Sequence, residues 1–340
     1  MKILLTGATG TVGLATLKHL LKNKTNDIAV FDIKSRKVKR LLKPFKGKIK
    51  IYYGDIAVKD NLLDACKGID VVIHLAAIIP PLADDNPSLA ERVNVNGTRN
   101  LLELVKCYSP GAFFIYGSSI SVYGDRLQNP SIKVSDPLIP SPGDEYAKTK
   151  LKAEQLIKRS GLTFTIFRIT AVMGASNHKI SKLMFHMPLA TPIELVTPND
   201  VGRAFANAPL KKAALAGKIF NLSGGITCQV IYEEFICQAF KNSGLGKLDF
   251  PQNAFATRNF HCGYYADGDD LENILHFRED SLHNFYKLQQ SAIPAYKKTL
   301  VSLFRKPIKM ALVAKSEPLQ AIRNKNIALI NRFFGDDITD

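Results

Sequence analysis

Three polar residues in the middle of the chain could together move a proton at a substrate oxygen: Ser119, Tyr146 and Lys150. Tyr146 and Lys150 are four positions apart at the start of a predicted helix, Tyr146 to Ser160, so their side chains share one face. A phenol is a poor base at neutral pH unless a nearby cation favours the phenolate, and Lys150, one helical turn on, is that cation. Ser119 follows the apolar run Ala112 to Tyr116, at the sheet edge where open α/β folds bind ligands, and its hydroxyl can hold the reacting oxygen. Alone, Tyr-x-x-x-Lys usually means a surface tyrosine beside a lysine, so its meaning depends on what surrounds it.

What surrounds it is a nucleotide-binding pattern. The strand Ile3-Leu4-Leu5 runs into Thr6-Gly7-Ala8-Thr9-Gly10-Thr11-Val12-Gly13 and then into a helix. Gly7 permits the tight turn, Gly10 lets the backbone approach a pyrophosphate, and Gly13 lets the helix pack on the strand. The backbone at Gly7, Thr9, Gly10, Thr11, Val12 and Gly13 is therefore the expected phosphate cradle at a positive helix end. Asp32 ends the second strand, Ile28 to Phe31, where a carboxylate can accept both ribose hydroxyls of the adenosine half. Lys34 to Lys50 carries nine Lys or Arg and no acid, and Arg36 or Lys37 could pair with a 2′-phosphate. A carboxylate facing a phosphate is repulsive, so Asp32 decides for NAD rather than NADP.

Apolar strands at Lys2 to Leu5, Ile28 to Phe31, Ile49 to Tyr52, Val71 to Leu75, Ala112 to Tyr116 and Phe164 to Arg168 alternate with helices at Val12 to Lys22, Asp60 to Cys66, Ala90 to Cys107 and Tyr146 to Ser160. Such alternation implies an α/β, doubly wound, mainly parallel sheet of Rossmann type. A strand at Lys218 to Leu222 and helices at Gln229 to Lys241 and Asp269 to Leu275 suffice for a small C-terminal substrate lobe. The expected division is 1–170 for the dinucleotide-binding core, 171–290 for the lobe interleaved with the last core strands, and 291–340 for a basic helical tail.

With these motifs in register, the chain resembles the extended short-chain dehydrogenase/reductases, the NAD-dependent epimerase/dehydratase family, from Met1 to about Lys287. The resemblance rests on Thr6 to Gly13, Gly54-Asp55-Ile56, His74-Leu75-Ala76-Ala77, Asn94-Val95-Asn96-Gly97-Thr98, Ser118 to Gly124, Tyr146 to Lys150 and Lys218 to Gly225. It implies that Asp55 and Ile56 contact the adenine and that Leu75, Ala76 and Ala77 line the ribose and pyrophosphate side. Ser119, Tyr146 and Lys150 become the catalytic trio, with Tyr146 and Lys150 also at the cofactor. Thr170 falls near the nicotinamide amide, where this chain has Ile169-Thr170 and the family often has a proline.

The implied reaction is hydride transfer, with Tyr146 as acid and base. Sugar-nucleotide dehydratases carry an Asp-Glu pair after the catalytic hydroxyl residue, and here Ile120 and Ser121 stand there, which disfavours water elimination. The expectation is an NAD-dependent oxidoreductase-type isomerase that epimerises a nucleoside-diphosphate sugar. A reductase or dehydrogenase of a smaller, more apolar alcohol or ketone is the alternative, since the segment Thr170 to Asp200 is short and shows no uridine-binding arginine. A non-enzymatic dinucleotide-binding protein is a third reading, and the intact trio argues against it. The resemblance also implies a homodimer through the helices Ala90 to Cys107 and Tyr146 to Ser160.

Composition sets the remaining bounds. Hydrophobic residues at 46% and charged residues at 22% suit a soluble globular protein and exclude fibrous or disordered classes. The net charge of +16 attracts polyanions, but no nucleic-acid module accompanies it, so no specific nucleic-acid partner is expected. The apolar opening is cut short at Thr6 and Gly7, no later run is long enough to span a bilayer, and a cytoplasmic protein is expected. Cys66, Cys107, Cys228, Cys237 and Cys262 are widely spaced and read as free buried thiols. His74 reads as a satisfied structural histidine. His178, His186 and His261 lack metal-ligand spacing, so no metal is expected. From Ser291 the tail has nine Lys or Arg against four acids, and one amphipathic helix, Leu319 to Phe334, presents Ile322, Ile327, Ile330 and Phe333. Docking of that helix on the body or a second subunit is expected, with peripheral attachment to an anionic membrane as the sharper alternative.

Overall fold

Residues that alternate in side-chain direction along each short strand divide the core into two layers. The computed structural model describes residues 1–173 and 182–335, and His178 lies outside them. In chain order the framework is β1 (Lys2–Thr6), α1 (Thr11–Leu20), β2 (Asp27–Asp32), β3 (Lys50–Tyr53), β4 (Val71–His74), α2 (Gly97–Tyr108), β5 (Phe113–Ser119), α3 (Glu145–Arg159), β6 (Thr163–Ile169), α4 (Pro198–Asn207) and β7 (Ile219–Leu222). All seven strands pair in parallel, in the order β7-β6-β5-β4-β1-β2-β3. Ile3, Leu5, Val30, Ile73 and Phe113 face one layer with Leu17 and Phe205, and Leu4, Phe31, Val72 and Phe114 face the other with Leu101, Val105 and Ile157. Each fully buried aliphatic side chain contributes about 1.5–3 kcal/mol, which is why the strands are almost wholly apolar. α4 lies close against α1 because Gly202 has no Cβ: one built there would sit 2.6 Å from the Ala15 carbonyl carbon.

The strand order reverses between β1 and β4, and this gap at the strands' carboxyl ends is where such sheets bind ligands. The expected Rossmann architecture is thus present. Local differences from the sequence reading have physical causes. Asp60 to Cys66 forms two short 3-10 turns, Lys59–Leu62 and Asp64–Cys66, instead of one helix. Ala90 to Cys107 stays helical but contains a π-helical turn, Glu91–Asn96, which aims the Asn94 side chain inward. The helix expected from Gln229 begins as a strand, Gln229–Ile231, paired with Pro192–Val196, and only then becomes α5 (Tyr232–Ser243).

Beyond the sheet, Phe185, Ile193, Leu195, Tyr232, Ile236 and Phe240 build a second core. The tail continues as α6 (Leu282–Ala292), α7 (Ala295–Leu303), α8 (Arg305–Val313), α9 (Glu317–Arg323) and α10 (Ile327–Phe334). The single terminal helix expected from Leu319 is therefore two. Lys325 takes a left-handed conformation at φ 50°, and Asn326 caps the next helix by accepting the Leu329 N–H. Phe333 and Phe334 are buried with Ala256 and Ala321, so α10 docks on the body, while Ile327 stays exposed. No helix among the described residues is long and apolar enough to cross a membrane. All five cysteines are free, but Cys107 is exposed and Cys237 half-buried rather than buried.

Candidate active site

The glycine turn is shaped by contacts that only glycine tolerates. A Cβ on Gly13 would lie 2.1 Å from the Gly7 carbonyl oxygen, and one on Gly7 would lie 2.7 Å from the Ala76 backbone. Gly7 also adopts a φ of 70°, a conformation that favours glycine. Gly10 differs: a Cβ there would meet nothing nearer than the Gly7 oxygen at 3.4 Å. No described neighbour crowds that position, so the backbone there is open to a close approach. Gly10 caps α1 without a side-chain hydrogen bond, and the first turn, which includes Thr11 and Val12, carries no acid. A positive helix end of this kind favours an anion.

Asp32 stands beside this turn and does work the sequence did not reveal. Its Oδ2 accepts from the Thr9 N–H and hydroxyl, each at 2.9 Å, and Oδ1 accepts from the Ile33 N–H at 2.8 Å. A carboxylate has about four acceptor sites, so capacity for a ribose hydroxyl remains. Farther along the sheet edge, Asp55 accepts from the Ala57 N–H and pairs with Arg92 at 2.6 Å. Burial raises the Asp55 carboxyl, but these donors outweigh it and hold the group below the usual carboxylate range. Ile56 packs under Gly97, where a Cβ would approach its Cγ2 to 2.6 Å. Cradle, positive helix end and acidic edge together fit a dinucleotide.

His74 is a wiring element. Thr98 gives its hydroxyl proton to the Asn94 carbonyl at 2.6 Å, so it accepts from His74 Nε2–H at 2.9 Å. Nδ1 then accepts from the Thr6 hydroxyl at 2.7 Å, and that oxygen accepts from the N–H groups of Leu75 and Ala76. Burial, with Lys150 adding, pushes the imidazole down to about 3, so the ring stays neutral. The same chain of bonds fixes Leu75 to Ala77 behind the glycine turn. Asn94 bonds both polar atoms of the Ile78 backbone and donates to Thr149, tying this loop to α3. Its motif was visible in sequence, but the positioning role depends on the π turn.

Ser119, Tyr146 and Lys150 converge at the carboxyl end of β5. Ser119 lies beside the Tyr146 phenol, whose proton affinity it lowers, and accepts the Ser121 N–H at 3.1 Å. Lys150 is buried, donates to the Gly117 carbonyl at 2.6 Å and lies 5.7 Å from the centre of the Tyr146 ring. Burial dominates the proton affinity of both groups. Burial pushes the phenol up, reinforced by Asp144 and Asp84, and Ser119 only partly opposes this. Burial also pushes the Lys150 amine down to about 7. The ammonium is nearer the Tyr116 ring, at 4.6 Å, than the Tyr146 ring, and Tyr146 holds its proton.

The first turn of α3 is held by two carboxylates that sequence spacing does not link. Asp144 accepts the Ala147 N–H at 2.8 Å, and Asp84 accepts the N–H groups of Glu145 and Tyr146 at 3.0 and 3.2 Å. His261 Nδ1 meets Asp144 at 2.6 Å. Burial lowers the His261 imidazole, but Asp144 more than offsets it and the net direction is upward. Burial raises the Asp144 carboxyl, but His261 and the Ala147 N–H bring it below its usual range. The raised histidine stabilises the fold fully below about pH 6.5, and this is lost as pH climbs through its higher folded value. The lowered carboxyl stabilises the fold above about pH 4, and this is lost as pH falls through its folded value. Melting temperatures followed against pH are expected to show wild type losing its advantage over His261→Gln as pH rises past about 6.5. Parallel curves would refute the pair's contribution.

Behind Tyr146, Glu154 and Arg168 form a fully buried bidentate pair at 2.8 and 3.0 Å. Ser118 donates to Glu154 at 2.6 Å, and Arg168 donates to Tyr123, which donates to Asn221, which donates to Asp267. The network locks α3 to β5, β6 and β7. Thr170 is buried, with its hydroxyl proton committed to the Glu194 carbonyl at 2.5 Å. Ile120 and Ser121, after Ser119, are both buried, and neither is an acid. No group of three potential metal ligands occurs among the described residues.

The match to known proteins agrees with this geometry. The model of the NAD dependent epimerase/dehydratase family matches residues 3–207. The chain is 28% identical over 268 residues, 68% of its length and 79% of the other, to an uncharacterised UDP-glucose epimerase of Bacillus subtilis. It is 30% identical over 206 residues, 58% of its length, to an uncharacterised membrane protein of Methanocaldococcus jannaschii, and spans only 56% of that protein. The UDP-glucuronic acid 4-epimerase of Bacillus cereus, solved with UDP-glucuronic acid and NAD, superposes with a TM-score of 0.70 at 23% identity, over 88% of this chain and all of that one. The family match across three-fifths of the chain, on a glycine cradle with a Ser-Tyr-Lys site at its edge, establishes that this protein belongs to the NAD-dependent epimerase/dehydratase family.

Proposed function

We propose that the protein epimerises a nucleotide-activated sugar by transient hydride transfer, with Ser119, Tyr146 and Lys150 as its catalytic residues. The observation that carries this reading is their convergence at the carboxyl end of β5, with no acid at Ile120 or Ser121 to drive water elimination. NAD would be held by the turn from Gly7 through Thr9, Gly10, Thr11 and Val12 to Gly13, by Asp32, Asp55 and Ile56, and by Leu75 to Ala77. Bound there, NAD would supply reversible hydride transfer at a carbinol carbon. Tyr146, once it has lost its resting proton to solvent, takes the proton of the substrate hydroxyl as the hydride leaves and gives it back to the ketone oxygen as the hydride returns. Ser119 holds that oxygen within reach of the phenol. Lys150, poised near neutrality, stabilises the phenolate whenever it is charged.

The UDP-sugar epimerases among the relatives favour a sugar nucleotide as substrate. The test is to incubate the purified protein and NAD with a panel of UDP- and dTDP-hexoses and follow stereochemistry by NMR. Inversion at one carbon with no net NADH is expected. Net NADH formed from a smaller alcohol, with no inversion of any sugar, would replace epimerisation with a simple dehydrogenase.

A further inference from the structure

The segment from Ser281 to Ser316 contains seven Lys or Arg and no acidic residue, and five of the seven lie on α7 and α8. These helices are anchored on one side. Val301 and Ile308 pack on the second core, which Phe285 and Leu312 complete. Their other side carries large apolar groups in water: Tyr296, Leu300, Leu303, Phe304 and Met310 are each at least 50% exposed. Tyr296, Leu300 and Leu303 follow an i, i+4, i+7 spacing and so line one helical face. Because Val301 and Ile308 fix the opposite face, these residues cannot turn inward to finish the core. Lys297, Arg305, Lys306 and Lys315 are exposed among them, and no carboxylate of the described residues lies within ion-pair distance of any of the four.

We propose that the outward face of α7 and α8 docks on the surface of an anionic lipid bilayer. A protein partner would have to present an acidic apolar patch of matching shape, whereas a bilayer meets both needs without one: anionic headgroups for the cations and acyl boundary for the apolar side chains. The placement differs from that expected from the sequence, because the terminal helix docks inward with Phe333 and Phe334 while α7 and α8 present the exposed apolar face.

The test is co-sedimentation of the full chain with vesicles of phosphatidylcholine alone and of phosphatidylcholine mixed with phosphatidylglycerol. Binding to the anionic vesicles at least about tenfold tighter than to neutral ones is expected, weakening as salt rises. Leu300→Ser/Leu303→Ser/Phe304→Ser and Lys297→Gln/Arg305→Gln/Lys306→Gln are each expected to lose this binding while keeping wild-type melting and NAD affinity. Absent binding, equal binding to both vesicle types, or folded variants that bind like wild type would overturn the proposal. So would a wild-type dimer in sedimentation that the apolar variant dissociates, because the face would then cover a second copy of this chain.

Discussion

Tyr146→Phe is expected to lower turnover by about 10²–10⁴-fold while leaving KM and NAD affinity close to wild type, because it deletes only the group that exchanges a proton with the substrate oxygen. The phenol's contacts make this a clean experiment. Its hydroxyl lies beside Ser119, which keeps the Ser121 N–H as a partner, so the variant is expected to fold normally. Single-turnover measurement on the substrate identified by the sugar panel, with a separate titration of NAD binding, separates chemistry from binding. A variant retaining a tenth or more of wild-type turnover would remove Tyr146 from the mechanism. The pH profile carries a second reading, because the resting phenol is protonated and the lysine is pushed down to about 7 by burial. If charged Lys150 supports the phenolate, Lys150→Met is expected to lose activity while folding at least as stably, since it removes a buried amine that resists charging.

Glu154→Ala is expected to cost about 3–5 kcal/mol of folding stability, the range for removing one partner of a buried ion pair. Arg168 would be left charged and buried at 2% exposure, and Ser118 would lose its acceptor. Arg168 still donates to Tyr123 and to the Val134 carbonyl, which limits the loss but cannot neutralise the charge. Urea unfolding of the variant against wild type measures the effect. The double variant Glu154→Leu/Arg168→Met is expected to recover much of it, because it removes both desolvation costs together. If Glu154→Ala costs under about 1 kcal/mol, the pair is not what holds α3 against the sheet.

What the sequence determined by itself was everything written in short spacing. Gly7, Gly10 and Gly13 sit within one turn, Tyr146 and Lys150 within another, and the apolar strands are short and continuous, so local geometry and burial follow from residue type. Asp269 to Leu275 was read to the residue, and β1, β2 and β4 nearly so. Tertiary structure decided what depends on residues far apart in the chain. Asp84, Asp144 and His261 meet at the start of α3 across gaps of 60 and 117 positions, and Glu154 finds Arg168 only because α3 lies beside β6. The electrostatics also waited for the fold: helical spacing brings Lys150 near Tyr146, but burial of both groups sets their proton affinities. Burial likewise made two helices of one at Lys325 and turned Phe333 inward. A sequence pattern records which face of a helix is apolar, and only packing records what that face touches.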